Sequence, residues 1–119
     1  MDVDAVARQI RAALTTSLLK PVYRRLVEQG AHPMTGHCYV ASEVAFALLG
    51  GKAAGLKPVT VAHEGTIHWW IRTADGQDID LTADQFTTPV PYEQGRCRGF
   101  LTKEPSARAR EVLRRLANR

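Results

Sequence analysis

The N-terminal part of the chain carries apolar residues at helical spacing. Residues 3–14 place them along one side, with Arg8 and Arg11 on the other, which predicts an amphipathic helix. Pro21 suits the first position of a second helix because its fixed φ is already helical. That helix is expected to end at Gly30. Two short helices therefore open the chain.

A third helical segment has a different pattern. Residues 37–49 are apolar on nearly every side and rich in Ala and Leu, which favours a buried helix that ends at Gly50. Residues 106–116 follow Pro105 and predict a last helix, with apolar residues inward and arginines mostly outward. The chain is thus expected to bury one central helix and to carry flanking helices at both ends.

Strand-like runs lie between the central and the last helix. Residues 58–62, 66–73 and 77–81 are rich in β-branched and aromatic residues, and the tripeptide 74–76 reads as a turn. Residues 87–95 contain two prolines and are expected to be irregular. Helices followed by a small antiparallel sheet and a final helix define the α+β class.

Length and composition narrow the class of protein. A chain of 119 residues suits a single domain spanning residues 1–119. Its apolar runs are too short to span a membrane, and its start lacks the basic and apolar regions of a signal peptide. With 2 cysteines a disulfide scaffold is excluded, so we expect a reducing, cytoplasmic setting.

Charge is unevenly distributed along the chain, whose net charge is +4. Residues 31–95 are acidic, which mildly favours a cationic or neutral substrate, and residues 96–119 are basic. Arg108, Arg115 and Arg119 fall on one side of the last helix, so a nucleic acid or an acidic protein is a second kind of partner. A solvated basic helix is the simpler interpretation.

Cys38 and His68 are candidates for nucleophilic catalysis. Cys38 opens the central helix, where free N–H groups and the helix dipole are expected to lower the pKa of a thiol. A thiolate is the nucleophilic form, and a histidine is the usual base that produces it. Cys97, between two arginines, is interpreted as a small buried structural residue.

The register of the hairpin decides whether a carboxylate can orient His68. A two-residue turn would place Asp80 on the face opposite His68. A three-residue loop ending at Gly76 pairs position 70 with position 80 and puts Asp80 diagonally across from His68 on the same face. We predict the second register, with Asp78 as the alternative acid because it shares that face.

Three motifs carry a resemblance to known families. They are Gly36-His37-Cys38-Tyr39, His68-Trp69-Trp70 and Asp80-Leu81-Thr82 continuing to Phe86. The first two and the aspartate resemble the papain-like/transglutaminase-like cysteine fold, which includes NlpC-like proteins, and the segment 80–86 is similar to YunG-like bacterial and phage proteins. The resemblance covers about residues 30–105.

That resemblance implies a Cys-bearing helix on an antiparallel sheet, with Cys38 as nucleophile, His68 as base and Asp80 as orienting acid. It implies a cysteine peptidase-like or amidase-like hydrolase acting on a protein, peptide or small amide through a thioester, without a cofactor. Transglutaminase, deamidase and acyltransferase reactions use the same constellation. A non-enzymatic binding module that uses the basic last helix is the alternative.

The sequence also offers candidate residues for substrate binding and for a metal site. His37, Trp70 and Gln85 are candidates for the oxyanion hole or the substrate wall, with Trp69 in the core. A zinc site is the rival interpretation, and we expect no metal because no tight ligand pair occurs. Its possible ligands are Cys38, Cys97, His32, His37, His63 and His68.

Overall fold

The computed structural model describes residues 2–118, which form four α-helices and a four-stranded antiparallel sheet, so the α+β class is confirmed. The helices are α1 (Val3–Ala13), α2 (Pro21–Glu28), α3 (Cys38–Leu48) and α4 (Ala107–Ala117). The strands are β1 (Lys57–His63), β2 (Thr66–Arg72), β3 (Asp78–Ile79) and β4 (Arg96–Cys97). Short 3-10 helices cover Thr16–Leu18, Gly51–Ala54, Ala83–Gln85 and Tyr92–Gln94. Within residues 2–118, no helix combines the length and apolar character needed to cross a bilayer.

Local side chains mark the starts of three helices, α1, α2 and α4. The Asp2 carboxylate accepts a hydrogen bond from the Asp4 N–H at the start of α1, and Pro21 is the first residue of α2. At the start of α4, the Ser106 hydroxyl accepts from the Ala109 N–H. The carboxylate of the buried Glu43, on α3, accepts from both the Ser106 N–H and its hydroxyl, which ties the last helix to the central one.

The strand order is β3-β2-β1-β4, and the register of the β2–β3 hairpin is the predicted one. Ile71 pairs with Ile79 and Arg72 with Asp78, while the Thr73 N–H donates to the Gln77 carbonyl across the three-residue loop. Gly76 lies in that loop with φ +88, a conformation that favours glycine. This register places His68 and Asp80 on the same face of the sheet.

Two structural details differ from the predicted strands. β3 contains only two residues, so Asp80 lies just beyond its end instead of inside a strand covering 77–81. β4 was not predicted, because its two residues pair only with the β1 edge and are too short to show a periodic pattern. The early end of β3 leaves part of the β2 edge without a neighbouring strand.

The two faces of the sheet belong to two hydrophobic clusters. Ile71 and Ile79 face α3 and join the main core, to which α1 and α4 also contribute. Trp70 and Val59 point to the opposite face, where Val90 covers them. Because side chains alternate along a strand, His68 lies on the Trp70 face, away from the body of α3.

Candidate active site

His68 and Asp80 form a buried pair. The His68 ring is 0% exposed and Asp80 is 4% exposed, and 2.6 Å separates Nε2 from Oδ2. A carboxylate can only accept hydrogen bonds, so in the neutral ring Nε2 carries the proton and Nδ1 has the free lone pair. Nδ1 is buried and has no hydrogen-bond partner in the described structure. The pair therefore presents an oriented acceptor nitrogen, as a general base requires.

Two further donors hold Asp80 in place. The Tyr92 hydroxyl donates to Oδ2 at 3.0 Å, and the Thr82 N–H donates to Oδ1 at 3.1 Å. Burial raises the pKa of Tyr92, and the nearby Asp80 charge adds to the shift, so the phenol stays protonated and remains a donor. Sequence reasoning missed Tyr92 as a partner of Asp80. Tyr92 lies in the irregular segment 87–95, which has no periodic pattern from which the direction of a side chain could be predicted.

Cys38 lies at the part of the β2 edge that β3 leaves open. Its Sγ is 3.8 Å from the carbonyl oxygen of Ile67, which belongs to the peptide bond that enters His68. The N–H of Trp69 also interacts with the sulfur. In the β1–β2 pairing, backbone groups of Ile67 and Trp69 point away from β1, so the thiol occupies the place of the missing strand.

Burial shifts the pKa of Cys38 in the direction opposite to the one expected from the sequence. The sequence predicted a lowered pKa at the helix start, whereas burial raises it, and the Asp80 charge acts in the same direction. The backbone N–H groups of Trp69 and Tyr39 oppose this change but do not overcome it. The resting thiol is thus protonated near neutral pH, and a base is required to activate it.

The structure brings the three predicted catalytic residues to one region but joins only two of them directly. His68 is hydrogen-bonded to Asp80, while the hydrogen bond of the Cys38 thiol goes to Ile67. Within residues 2–118 no hydrogen bond connects Cys38 to His68. The sulfur lies beside the backbone of His68 at the open strand edge, and the unpartnered Nδ1 is the acceptor on the same residue.

A cleft of about 520 Å³ opens next to the cysteine. Cys38 contributes to its wall together with Tyr39, Trp69 and Phe86. Phe86 also packs edge-on against the His68 ring, with 4.8 Å between ring centroids, so the same side chain borders both the cleft and the buried pair. The thiol is accordingly the reactive group that a ligand in this cleft would meet first.

The three accessory candidates occupy different places. Gln85 lines the cleft, and its amide donates to the carbonyl and hydroxyl of Thr82. Trp70 does not border the cleft: it is 1% exposed, stacks on His68 and donates through Nε1 to Asp78. Trp69 lines the cleft instead, because its place on the α3 face turns it toward Cys38.

His37 is buried at the start of α3 and is not part of the cleft wall. Its Nε2 has no hydrogen-bond partner in the described structure, and burial lowers its pKa to about 4. An imidazole that stays neutral and turned inward does not fit the oxyanion role considered for it. Its neighbours Cys38 and Tyr39 place their backbone N–H groups at the helix start, next to the thiol.

Asp78 and Cys97 do not have the places that the sequence analysis gave them. Asp78 accepts from Trp70 and from the Arg72 guanidinium at 2.8 Å each, so it supports the hairpin and is not a second partner of His68. Cys97 is exposed on β4, not buried. Among residues 2–118, no group of three His, Cys, Asp or Glu side chains is arranged to hold a metal ion.

The basic last helix uses several of its arginines internally. Arg115 donates to the Ala13 carbonyl and to Thr15, and it pairs with Glu111 at 2.8 Å. Arg108 is exposed and lines the cleft. Arg119 lies outside the described residues. The row of arginines expected to contact phosphates is therefore divided between structural contacts and the cleft.

The fold and the site define a small α+β protein with a buried His–Asp pair beside a cleft cysteine. The family profile YunG, described as YunG protein, matches residues 7–119, and the chain belongs to this family. The match extends well beyond the segment 30–105 that carried the resemblance. No curated protein matches the chain, and no solved structure matches it.

Proposed function

We propose that this protein is a cysteine-dependent hydrolase or acyl transferase that acts on an amide-type bond, with Cys38, His68 and Asp80 as its catalytic residues. The observation that carries the proposal is the buried His68–Asp80 pair. Its Nδ1 has no partner among residues 2–118, while the thiol of a cleft cysteine lies beside the same histidine. A buried ring nitrogen without a partner is costly for a structural histidine and useful for a base.

The arrangement also supports assignment to the papain-like/transglutaminase-like cysteine fold. A cysteine opens a helix that packs on an antiparallel sheet, a histidine lies on a strand of that sheet, and an aspartate follows the adjacent strand. This order of elements is what the resemblance implies. The likeness concerns the arrangement of the elements, and the proposed chemistry rests on the residues of the site.

The reaction would start from a protonated thiol. The thiol turns from the Ile67 carbonyl to His68 Nδ1, which takes its proton as Sγ forms a bond to the carbonyl carbon of the substrate. Asp80 accepts from Nε2 and stabilises the imidazolium. The C–N bond then breaks, the amine leaves with the proton from Nδ1, and an acyl-thioester remains on Cys38.

The second half of the reaction decides whether the outcome is hydrolysis or acyl transfer. Water or another nucleophile gives its proton to His68 and attacks the thioester carbonyl, and the sulfur leaves as thiolate and recovers that proton. The backbone N–H groups of Cys38 and Tyr39 at the helix start, which already interact with the sulfur, are the candidate donors for the oxyanion. All groups in this sequence belong to the chain or to its substrate.

Acyl trapping with an activated ester tests the proposal. Wild-type protein is mixed with p-nitrophenyl acetate, and the released nitrophenol is compared with the site of acetylation found by peptide mass spectrometry. We expect one acetyl group on Cys38, with Cys38→Ser unlabelled. Cys97→Ser is the matched control, because Cys97 is exposed and outside the cleft, and it should label like the wild type.

Acetylation confined to Cys97 or to lysines, or an equal yield in folded Cys38→Ser protein, would contradict the assignment. Circular dichroism of each variant establishes that the comparison is made between folded proteins. A thiol-to-hydroxyl change keeps the size of the side chain nearly constant, so we expect the fold to survive.

A further inference from the structure

The mouth of the cleft carries apolar side chains that the fold leaves in solvent. Leu26, Ile67 and Leu101 are 43%, 48% and 68% exposed, and all three line the cleft. Trp69 and Tyr39 continue this apolar surface inward toward Cys38. Exposed apolar residues gathered at one concave site are typical of a binding surface. The cleft is therefore suited to an apolar group.

Two cations border the same cleft. Lys20 and Arg108 line it, both are exposed, and neither side chain makes an ion pair or hydrogen bond with residues 2–118. Arg108 differs in this from Arg115 on the same helix, which is held by several partners. Cations kept free at a concave site suit an anionic group on a ligand.

Among residues 2–118, Glu64 is the single carboxylate in the cleft wall, and it already accepts several hydrogen bonds. Glu64 accepts hydrogen bonds from the N–H groups and hydroxyls of Thr87 and Thr88, with distances between 2.6 and 3.2 Å. These contacts tie the β1–β2 turn to the segment that follows the 3-10 helix Ala83–Gln85. Most of these bonds fall on Oε2, and the threonine donors lower the pKa of Glu64 to about 2, so the carboxylate stays ionised. Lys20 and Arg108 still outnumber it, which leaves the cleft wall with a net positive charge.

We propose that the cleft binds a short peptide with an apolar side chain and a free carboxylate, and that such a peptide is the acyl-enzyme substrate. This inference rests on the proposed function for its catalytic half. The cleft volume of about 520 Å³ is in the range of sites that enclose a small ligand, and it fits a peptide of two or three residues. The acidic middle of the sequence had favoured a cationic or neutral substrate, but of the charged residues in segment 31–95 only Glu64 lines the cleft.

The chemistry would be hydrolysis of one amide bond in that peptide. Sγ of Cys38 displaces the amine, which leaves with the proton from His68, and water then releases the acid from the thioester. Lys20 and Arg108 take no part in proton transfer in this scheme. Their role is to bind the carboxylate and so to select peptides that end near the scissile bond.

A binding measurement on Cys38→Ser protein separates recognition from turnover. N-acetyl-leucyl-glycine and its neutral amide, N-acetyl-leucyl-glycinamide, are titrated by calorimetry, since they differ only in the terminal carboxylate. We expect the carboxylate peptide to bind about three- to tenfold more tightly, the range for two solvent-exposed ion pairs. Added salt should reduce the preference.

Two double variants that remove the same charge test whether Lys20 and Arg108 cause the preference for the carboxylate peptide. Lys20→Gln with Arg108→Gln should abolish it, whereas Lys52→Gln with Arg25→Gln, exposed cations outside the cleft, should preserve it. Equal affinity for the two peptides, no binding of either at millimolar concentration, or equal loss in both double variants would overturn the inference.

Turnover is measured separately on the wild type with the same carboxylate peptide. Cleavage that depends on Cys38 and is weakened by the Lys20 and Arg108 changes supports both proposals together. Selective binding without any acylation by p-nitrophenyl acetate supports the carboxylate site and contradicts the proposed catalysis. Acylation without carboxylate preference contradicts the substrate class alone.

Discussion

Replacing Asp80 by asparagine removes the charge of the buried pair and changes its hydrogen-bonding pattern. The carboxylate accepts three hydrogen bonds, from His68 and Tyr92 on Oδ2 and from the Thr82 N–H on Oδ1. An amide offers one oxygen and one NH2 group in the same positions. No orientation of the new side chain can reproduce all three contacts.

Each orientation leaves a conflict. With the amide oxygen toward His68, the NH2 group faces the Thr82 N–H, donor against donor. With the oxygen toward Thr82, the NH2 group faces His68 Nε2, so the ring proton must move to Nδ1 and the base is lost. A buried donor without an acceptor costs about 1–3 kcal/mol, and loss of the oriented base reduces acylation about 10²- to 10⁴-fold.

The assay compares Asp80→Asn with Asp78→Asn. Asp78 is on the same face, but both of its donors, Trp70 Nε1 and Arg72 Nε, use the single oxygen Oδ1. An asparagine oxygen can keep both bonds, so only the half-exposed ion pair with Arg72 is lost, at about 0–1 kcal/mol. Urea unfolding gives the free energies, and p-nitrophenyl acetate gives the acylation rates.

The reasoning is refuted if folded Asp80→Asn protein acylates Cys38 at nearly the wild-type rate. It is also refuted if Asp78→Asn loses as much activity as Asp80→Asn, because the effect would then follow the charge of the hairpin and not the contact with His68.

Two other predictions concern neighbouring groups. Tyr92→Phe keeps the ring edge-on to Trp70 at 5.2 Å but removes the donor to Asp80, so we expect a loss of about 1–2 kcal/mol in urea unfolding and a smaller fall in acylation than Asp80→Asn causes. Unchanged stability would show that this hydrogen bond contributes nothing. His37 has its pKa lowered to about 4 in the folded protein, so the unfolded chain binds more protons as pH falls and stability declines below an ordinary histidine pKa. Between about pH 7 and about pH 4.5 this amounts to about 2 kcal/mol, and His37→Gln should remove that part of the pH dependence. Identical slopes for the two proteins would contradict the assignment.

The hairpin shows what the sequence could predict. The three-residue loop, with Gly76 at its left-handed position, favoured one register, which the structure confirms. That register brings His68 and Asp80 together. Local turn chemistry and a period of two were sufficient, because both residues lie close to the same turn.

Contacts that depend on distant segments could not be predicted in this way. Tyr92 reaches Asp80 from an irregular segment without periodicity, and Trp69 lines the cleft because α3 begins beside it. For Cys38, the helix-start effect was visible in the sequence, but the burial that outweighs it depends on packing against β2. Burial and long-range packing are properties of the assembled fold.

Activation of the Cys38 thiol by His68 is the central claim, and the pH dependence of Cys38 acylation in wild type and in His68→Asn tests it most directly. Asparagine can still donate to Asp80 but cannot take a proton. The account predicts that wild-type protein acylates at neutral pH with His68 as the base, and that His68→Asn acylates only at high pH, following the raised pKa of the Cys38 thiol. Superimposable profiles for the two folded proteins would contradict the claim.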